Sequence, residues 1–243
     1  MKTMIGVMGS VAGFIPEASE HAYNLGRAIA EHDCIVVTGA CPGLPYDAVR
    51  GAKDAGGLTV GVSPGHNFAE HTIKYNSPSD NFDVIIYTGS GLMGREITGV
   101  RSCDIVVVAG GRSGTLGEFA IAYDEGKLIG VLKGTGGLSD HIEELVRVIN
   151  KETGSQVVYD DDPDRLISSL VELDQASRLA NRQSAEPAFN TECAEACDTA
   201  ESLEHAIVKM EQEVRLLEAN IAEQRKRLDV YRDVAVMGST DRG

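Results

Sequence analysis

The segment from Ser102 to Glu118 restricts the fold of this chain more than any other part of the sequence. Four β-branched residues, Ile105 to Val108, predict a strand that is buried on both faces. Glycines follow at positions 110, 111 and 114, and Thr115 is the predicted N-cap of a helix. A strand, a glycine turn and a helix in this order direct backbone N–H groups and a helix N-terminus towards an anion. Glu118, one turn into this helix, either complements the helix dipole or acts on a bound ligand.

Strand and helix patterns alternate along the first 180 residues. Strands are predicted at 4–9, 34–38, 58–62, 82–87, 105–108, 128–132 and 156–159, and helices at 16–32, 46–55, 95–102, 115–124, 138–150 and 163–179. Such alternation requires crossover connections between parallel strands. The sequence therefore predicts an α/β fold, a Rossmann-like open parallel sheet with helices on both faces.

Glycine-rich turns follow four of the predicted strands, and parallel strands bring their carboxyl ends to one edge of the sheet, where ligands bind. These turns contain no G-x-G-x-x-G with its acidic partner and no Walker A lysine, so neither NAD binding nor ATP hydrolysis is expected. We predict a nucleotide-like phosphate ligand, with no metal and no cofactor. The predicted binding residues are Gly9, Ser10, Gly39, Gly43, Gly89, Gly110, Gly111, Arg112, Ser113, Gly114 and Thr115.

The charge balance argues against polyanionic partners. The formal net charge is −15 at pH 7 and the isoelectric point is about 4.8, which disfavours binding to nucleic acid or to anionic membranes. No apolar run approaches the roughly 20 residues of a membrane span, and residues 1–9 lack the features of a signal peptide. Five cysteines without a disulfide spacing fit free thiols in a reducing compartment, so a cytoplasmic location is expected.

The composition changes after residue 180. We predict a Rossmann-like nucleotide-binding domain at 1–180, a linker at 181–200, a coiled-coil-like helix at 201–233 and a tail at 234–243. Apolar residues recur at heptad spacing in the predicted helix: Leu203, Ile207, Met210, Val214, Leu217, Ile221, Leu228 and Tyr231. This pattern favours a self-associating coiled coil, hence a homodimer or higher homo-oligomer. The alternative is an amphipathic helix that packs on the chain's own sheet domain.

Arg95, Asp104 and the run GGRSGTLGE from Gly110 to Glu118 resemble the LONELY GUY-type family of phosphoribohydrolases, a Rossmann-fold (SLOG) group often mislabelled as lysine decarboxylases. That family has an Arg-Lys pair followed by PGGxGTxxE. The segment 37–64 resembles its other glycine motif and the strand that follows. The likeness is greatest to a bacterial and archaeal branch of nucleotide-binding proteins that also resembles molybdenum-cofactor carrier proteins.

The resemblance implies that Arg95 and Glu118 are catalytic and that the glycine motif with Thr115 holds a 5′-phosphate. The implied reaction cleaves the N-glycosidic bond of a nucleoside 5′-monophosphate, giving free base and ribose 5-phosphate, at a site located in a dimer interface. Lysine decarboxylation is not expected, since no lysine lies in a pattern that demands a Schiff base.

This chain departs from the family pattern at three positions. Glu96 replaces the lysine, Gly110 the proline and Arg112 the second glycine. These changes favour the alternative function, a non-catalytic protein that binds or carries a nucleotide or molybdenum cofactor (a pterin phosphate).

Overall fold

The computed structural model describes residues 1–197 of the chain. Within them, the strands are β1 (Met4–Gly9), β2 (Ile35–Thr38), β3 (Leu58–Ser63), β4 (Val84–Tyr87), β5 (Ile105–Ala109), β6 (Leu128–Leu132) and β7 (Gln156–Asp160). The α-helices are α1 (Pro16–Glu31), α2 (Leu44–Asp54), α3 (Gly91–Arg101), α4 (Ser113–Asp124), α5 (Ile142–Ile149) and α6 (Pro163–Cys197). A π-helical turn covers Glu70–Lys74 and a 3₁₀ turn covers Gly137–Asp140. The residues from Met1 to Leu179 form one compact unit.

The strands form a single parallel sheet in the order β4-β3-β2-β1-β5-β6-β7. The strand order reverses between β1 and β5, which pair from Ile5 with Ile105 to Gly9 with Ala109. In an open parallel sheet the crevice beyond the carboxyl ends of two such strands is the usual ligand site. The Rossmann-like fold predicted from the sequence is thereby confirmed, and the reversal places its ligand crevice beside Gly9.

Apolar side chains cover both faces of the sheet. On one face Leu25 of α1, Leu44 of α2 and Leu166 of α6 belong to the same buried cluster, and on the other Phe119 of α4 and Ile142 of α5 form part of a second cluster. Strand β5 lies inside the sheet, between β1 and β6, and is fully buried, as its run of β-branched residues predicts. The packed sheet therefore fixes where the carboxyl ends of its strands lie.

Helix α4 begins earlier than its sequence pattern predicts. Its first residue is Ser113 and its N-cap is Arg112, so the assignment of Thr115 as N-cap is wrong. Gly110 and Gly111 have φ values of +63° and +107°, a region that favours glycine, and they turn the chain immediately after β5. The turn is complete within these two residues, so the helix starts two residues before Thr115. The backbone N–H groups of residues 113–115 therefore belong to its first turn.

Other boundaries differ as well: α2 begins at Leu44 rather than at residue 46, β4 at Val84 rather than at residue 82, and α5 at Ile142 rather than at residue 138. Helix α3 begins at Gly91 rather than near residue 95, because Gly91 adopts a φ of +72° and ends the preceding turn. Helix α6 continues to Cys197 rather than ending near residue 179, so the segment predicted as a linker, 181–200, is helical as far as it is described. Its Ala, Arg, Gln and Glu residues are good helix formers. The predicted coiled-coil helix at 201–233 and tail at 234–243 lie outside the described residues.

Candidate functional site

A cavity of about 320 Å³ opens at the carboxyl edge of the sheet, next to the end of β1. Small-molecule sites in proteins are usually about 300–1,000 Å³, so the cavity is large enough for a compact ligand. It brings together most of the residues singled out by the sequence: Gly9, Ser10, Gly39, Arg95, Arg112, Ser113, Gly114, Thr115 and Glu118. The side chains of Cys41, Leu92 and Glu96 also line it, although they were not among the predicted site residues.

Arg95 and Glu118 face one another in this cavity. Arg95 Nη1 lies 3.6 Å from Glu118 Oε1, and both side chains are more than nine-tenths buried. This separation makes an ion pair but exceeds a normal hydrogen bond. The buried Nε of Arg95 has no hydrogen-bond partner among the described side chains, those of residues 1–181, and almost none of its surface is open to the cavity. Any donor that Arg95 offers to a ligand is therefore one of its terminal N–H groups.

Burial raises the pKa of the Glu118 carboxyl to about 7, with Arg95 opposing the shift and Glu96 adding to it. A carboxyl group with a pKa near neutral exists in both protonation states under ordinary conditions. Groups that are perturbed in this way and that lie in clefts are candidates for acid–base chemistry. Glu118 is therefore a candidate for acid–base chemistry as well as a group that complements the dipole of α4.

Gly39, at the end of β2, provides the space for the Arg95 guanidinium. A Cβ atom at Gly39 would lie 1.5 Å from Arg95 Nη1 and 2.2 Å from its Cζ. The guanidinium therefore packs directly against the Cα of Gly39, which carries no side chain. Cys41 follows in the same turn, and burial raises the pKa of its thiol while the neighbouring Arg95 opposes the shift.

Glu96 is buried, with 7 % of its surface exposed, and lies along the beginning of α4. Its Oε1 lies 3.4 Å from the position of a Cβ on Gly114, and its Oε2 lies 3.3 Å from that of a Cβ on Gly117. Burial raises the pKa of this carboxyl too, and Arg95 again opposes the shift. Within the described part of the chain, no hydrogen bond or ion pair of the Glu96 carboxyl is found. Adjacent helical positions both reach the cavity because consecutive residues are about 100° apart around a helix.

The first turn of α4 forms another wall of the cavity. Ser113, Gly114 and Thr115 are the first three residues of this 12-residue helix, so their N–H groups have no acceptor four residues back. The exposed Arg112 side chain stands at the same end. A helix N-terminus with free N–H groups and an adjacent cation is suited to bind phosphate.

The two preceding glycines use their N–H groups within the protein. Gly110 donates to Thr135 Oγ1 at 2.8 Å and to Ser139 Oγ at 3.2 Å, and Gly111 donates to Ser10 Oγ at 2.6 Å. Neither glycine lines the cavity. They shape the turn before α4, and the hydroxyl of Ser10 fixes it to the end of β1.

Two other predicted binding residues lie away from the cavity. A Cβ on Gly43 would lie 2.3 Å from Ser10 O, so this glycine packs against the turn after β1. Gly89 follows the edge strand β4, and a Cβ there would lie 2.3 Å from His66 Nδ1. Gly89 packs against a histidine ring at the far end of the carboxyl edge.

Residues 1–181, whose side chains the structure describes, contain no cluster of three or more His, Cys, Asp or Glu side chains arranged to hold a metal ion. None of the helices within residues 1–197 is long and apolar enough to cross a membrane.

Comparison with protein-family models matches residues 2–167 to the SLOG cluster4 family. The chain belongs to the SLOG cluster4 family. An uncharacterized protein from Archaeoglobus fulgidus is 36% identical over 135 residues, which are 55% of this chain and 82% of that protein.

Solved structures share the fold of this SLOG protein. The molybdenum cofactor binding protein from Rippkaea orientalis is 32% identical, with a TM-score of 0.60 over 71% of this chain and 98% of that one. The Moco carrier protein from Chlamydomonas reinhardtii is 30% identical, with a TM-score of 0.60 over 73% and 99% of the two chains. The resemblance to a SLOG, Rossmann-like group seen in the sequence is confirmed.

Proposed function

We propose that this SLOG protein binds a nucleoside 5′-monophosphate in the cavity between β1 and α4 and hydrolyses its N-glycosidic bond. The observation that carries the proposal is a buried carboxyl, Glu118, with a pKa near 7, facing Arg95 beside the N-terminus of α4. An anion site and an acid–base group in one cavity are the two elements that such a hydrolysis needs.

The anion site and the acid–base group have separate roles in the proposed reaction. The N–H groups at the start of α4 and the Arg112 side chain hold the phosphate, and Arg95 donates hydrogen bonds to the substrate. Glu118 in its carboxylate form accepts a proton from water. The water oxygen then bonds to C1′ as the C1′–N bond breaks, and the proton that Glu118 accepted passes through solvent to the departing base, which regenerates the carboxylate. The carboxylate also stabilises the positive charge that develops on the sugar.

A panel of nucleoside monophosphates tests this proposal, with release of free base as the readout. We expect release from at least one member and a fall of about a hundredfold or more in Glu118→Gln, the size typical of losing an acid–base group. Equal release by Glu118→Gln would remove Glu118 from the mechanism. Binding without release from any member would leave a binding protein rather than an enzyme.

A second candidate is a non-catalytic carrier of a pterin phosphate such as the molybdenum cofactor. It is favoured by the 30–32% identity to the molybdenum cofactor binding and carrier proteins over nearly their whole length. Glu96, in place of a lysine of the LONELY GUY-type pattern, favours it as well. A molybdopterin that co-purifies with the full-length chain would support the carrier function.

Self-association is part of the proposal. Leu92, Met93 and Ile97 on α3 and Leu116 on α4 are exposed apolar residues, and Leu92 also lines the cavity. Exposed apolar patches of this kind mark interaction surfaces. We expect a homodimer or higher homo-oligomer, and sedimentation equilibrium of the full chain measures it. A monomer at all concentrations would contradict this part.

A further inference from the structure

Glu96 lines the cavity, and its carboxyl has no partner among the described residues. Its oxygens are acceptors when it is ionised, and they still reach the solvent of the cavity. A ligand that fills the cavity displaces this water and must present hydrogen-bond donors in its place, because a carboxylate that loses water without gaining hydrogen bonds is strongly destabilised. The phosphate of the ligand cannot do so, because it carries negative charge and would be repelled.

The position of Glu96 indicates which part of a ligand it meets. Its oxygens lie against Gly114 and Gly117, in the first two turns of α4, immediately beside the proposed phosphate site. In a nucleoside 5′-phosphate the group joined to the phosphate is the ribose, and the base lies beyond it. The donors within reach of Glu96 are then the sugar hydroxyls, and a vicinal diol matches the two oxygens of one carboxylate.

We propose that Glu96 recognises the sugar of the ligand. Its carboxylate accepts hydrogen bonds from the 2′- and 3′-hydroxyls of a ribose 5-phosphate group. This inference rests on the proposed nucleotide site and narrows its substrate class to ribonucleotides. Glu96 acts as a specificity residue, whereas Arg95 and Glu118 carry out the chemistry. A pterin phosphate has no ribose diol, so a preference for ribose over deoxyribose is expected of the nucleotide function and not of the carrier function.

Arg95 agrees with the assignment. Its Nε is closed off from the cavity, but the residue lines the same cavity as Glu96, so its terminal N–H groups can donate to an acceptor of the ligand. A sugar hydroxyl is both a donor and an acceptor. A ribose can therefore satisfy Glu96 and Arg95 together, which neither a phosphate nor a simple cation can do.

The experiment compares the affinity of the full chain for matched pairs that differ only at the 2′-position. The pairs are AMP with 2′-deoxy-AMP, and ribose 5-phosphate with 2-deoxyribose 5-phosphate, measured by titration calorimetry; for the AMP pair every protein also carries Glu118→Gln, so that turnover does not consume the ligand. We expect the wild type to prefer each ribose member about tenfold or more, the usual effect of a hydrogen bond to a charged group. In Glu96→Gln, which keeps the side-chain volume, the ratio falls towards one. Glu144→Gln, on the exposed face of α5, is the matched control and keeps the wild-type ratio.

The ratio is the readout because removing one negative charge also strengthens binding of every phosphate. A wild-type ratio near one overturns the proposal without any variant. A wild-type preference that persists in Glu96→Gln assigns the sugar to another residue and also overturns it. If the wild type binds none of the four compounds and no inorganic phosphate, the nucleotide site itself fails, and the sugar assignment fails with it.

Discussion

Replacing Gly39 with alanine is the sharpest test of how the site is built. The new Cβ would lie 1.5 Å from Arg95 Nη1, whereas ordinary contacts begin at about 3.4 Å, so the guanidinium must move by about 2 Å. That shift breaks the ion pair with Glu118 and leaves buried polar groups without partners. We expect the free energy of unfolding to fall by about 2 kcal/mol.

The same change affects the ligand and the carboxyl. Displacing Arg95 removes the charge that opposes the effect of burial, so the pKa of Glu118 rises further. A misplacement of about 1 Å in a catalytic group can cost a hundredfold in rate, and we expect at least that loss of base release. The release of free base measures the loss of rate, and titration calorimetry with AMP measures the accompanying loss of affinity. Urea unfolding measures the loss of stability and is followed by circular dichroism, since the chain has no tryptophan.

Gly99→Ala is the matched control because Gly99 lies on α3, the helix that carries Arg95, and an added Cβ there meets nothing within 4 Å. Both substitutions reduce the entropy of the unfolded chain equally, so their difference isolates the clash at Gly39. We expect Gly99→Ala to be more stable than wild type by about 0.5–1 kcal/mol, with unchanged binding. If Gly39→Ala had the same stability and the same affinity for AMP as the wild type, the packing of Arg95 against Gly39 would be refuted.

Three further outcomes are expected. Folding raises the pKa of Glu118 from 4.5 to about 7, so the folded state binds more protons than the unfolded state between these two pH values. The free energy of unfolding therefore falls as the pH rises from 4.5 to about 7. Glu118→Gln should therefore gain up to about 3 kcal/mol relative to wild type at pH 8 but not at pH 4, in urea unfolding curves; a constant difference would contradict the raised pKa. Ser10→Ala leaves the buried Gly111 N–H without its acceptor and should cost about 1–3 kcal/mol in the same assay, and an unchanged midpoint would disprove that role. Arg95→Lys keeps the charge but loses the fork of donors, so the Kd for AMP should rise about tenfold; equal binding would mean that charge alone suffices.

The fold follows from the sequence because strands buried on both faces and amphipathic helices have distinct periodicities. What the sequence does not contain is the lateral order of the strands. Four glycine turns were expected to converge, yet β4 lies three strands from β1, so Gly89 is remote while Gly9 lies at the cavity. Helix α3 nevertheless returns from β4 towards β5, which brings Arg95 to Glu118.

The finer details of the site depend on packing that no local pattern encodes. The glycine motif around Gly110 and Gly111 suggested amides that cradle a phosphate, but their N–H groups are bound by Thr135, Ser139 and Ser10 hydroxyls from distant parts of the chain. The burial of Glu96 is likewise invisible in the sequence, because it depends on the close approach of α3 and α4. The only sequence signal was its position next to Arg95.

The most direct test is a crystal structure of the Glu118→Gln protein with AMP, since the substitution prevents turnover while keeping the shape of the site. We expect the phosphate against the N–H groups at 113–115, the ribose beside Glu96 and the glycosidic bond next to position 118. AMP bound elsewhere, or a phosphate on any other surface with the cavity beside β1 empty, would contradict the account.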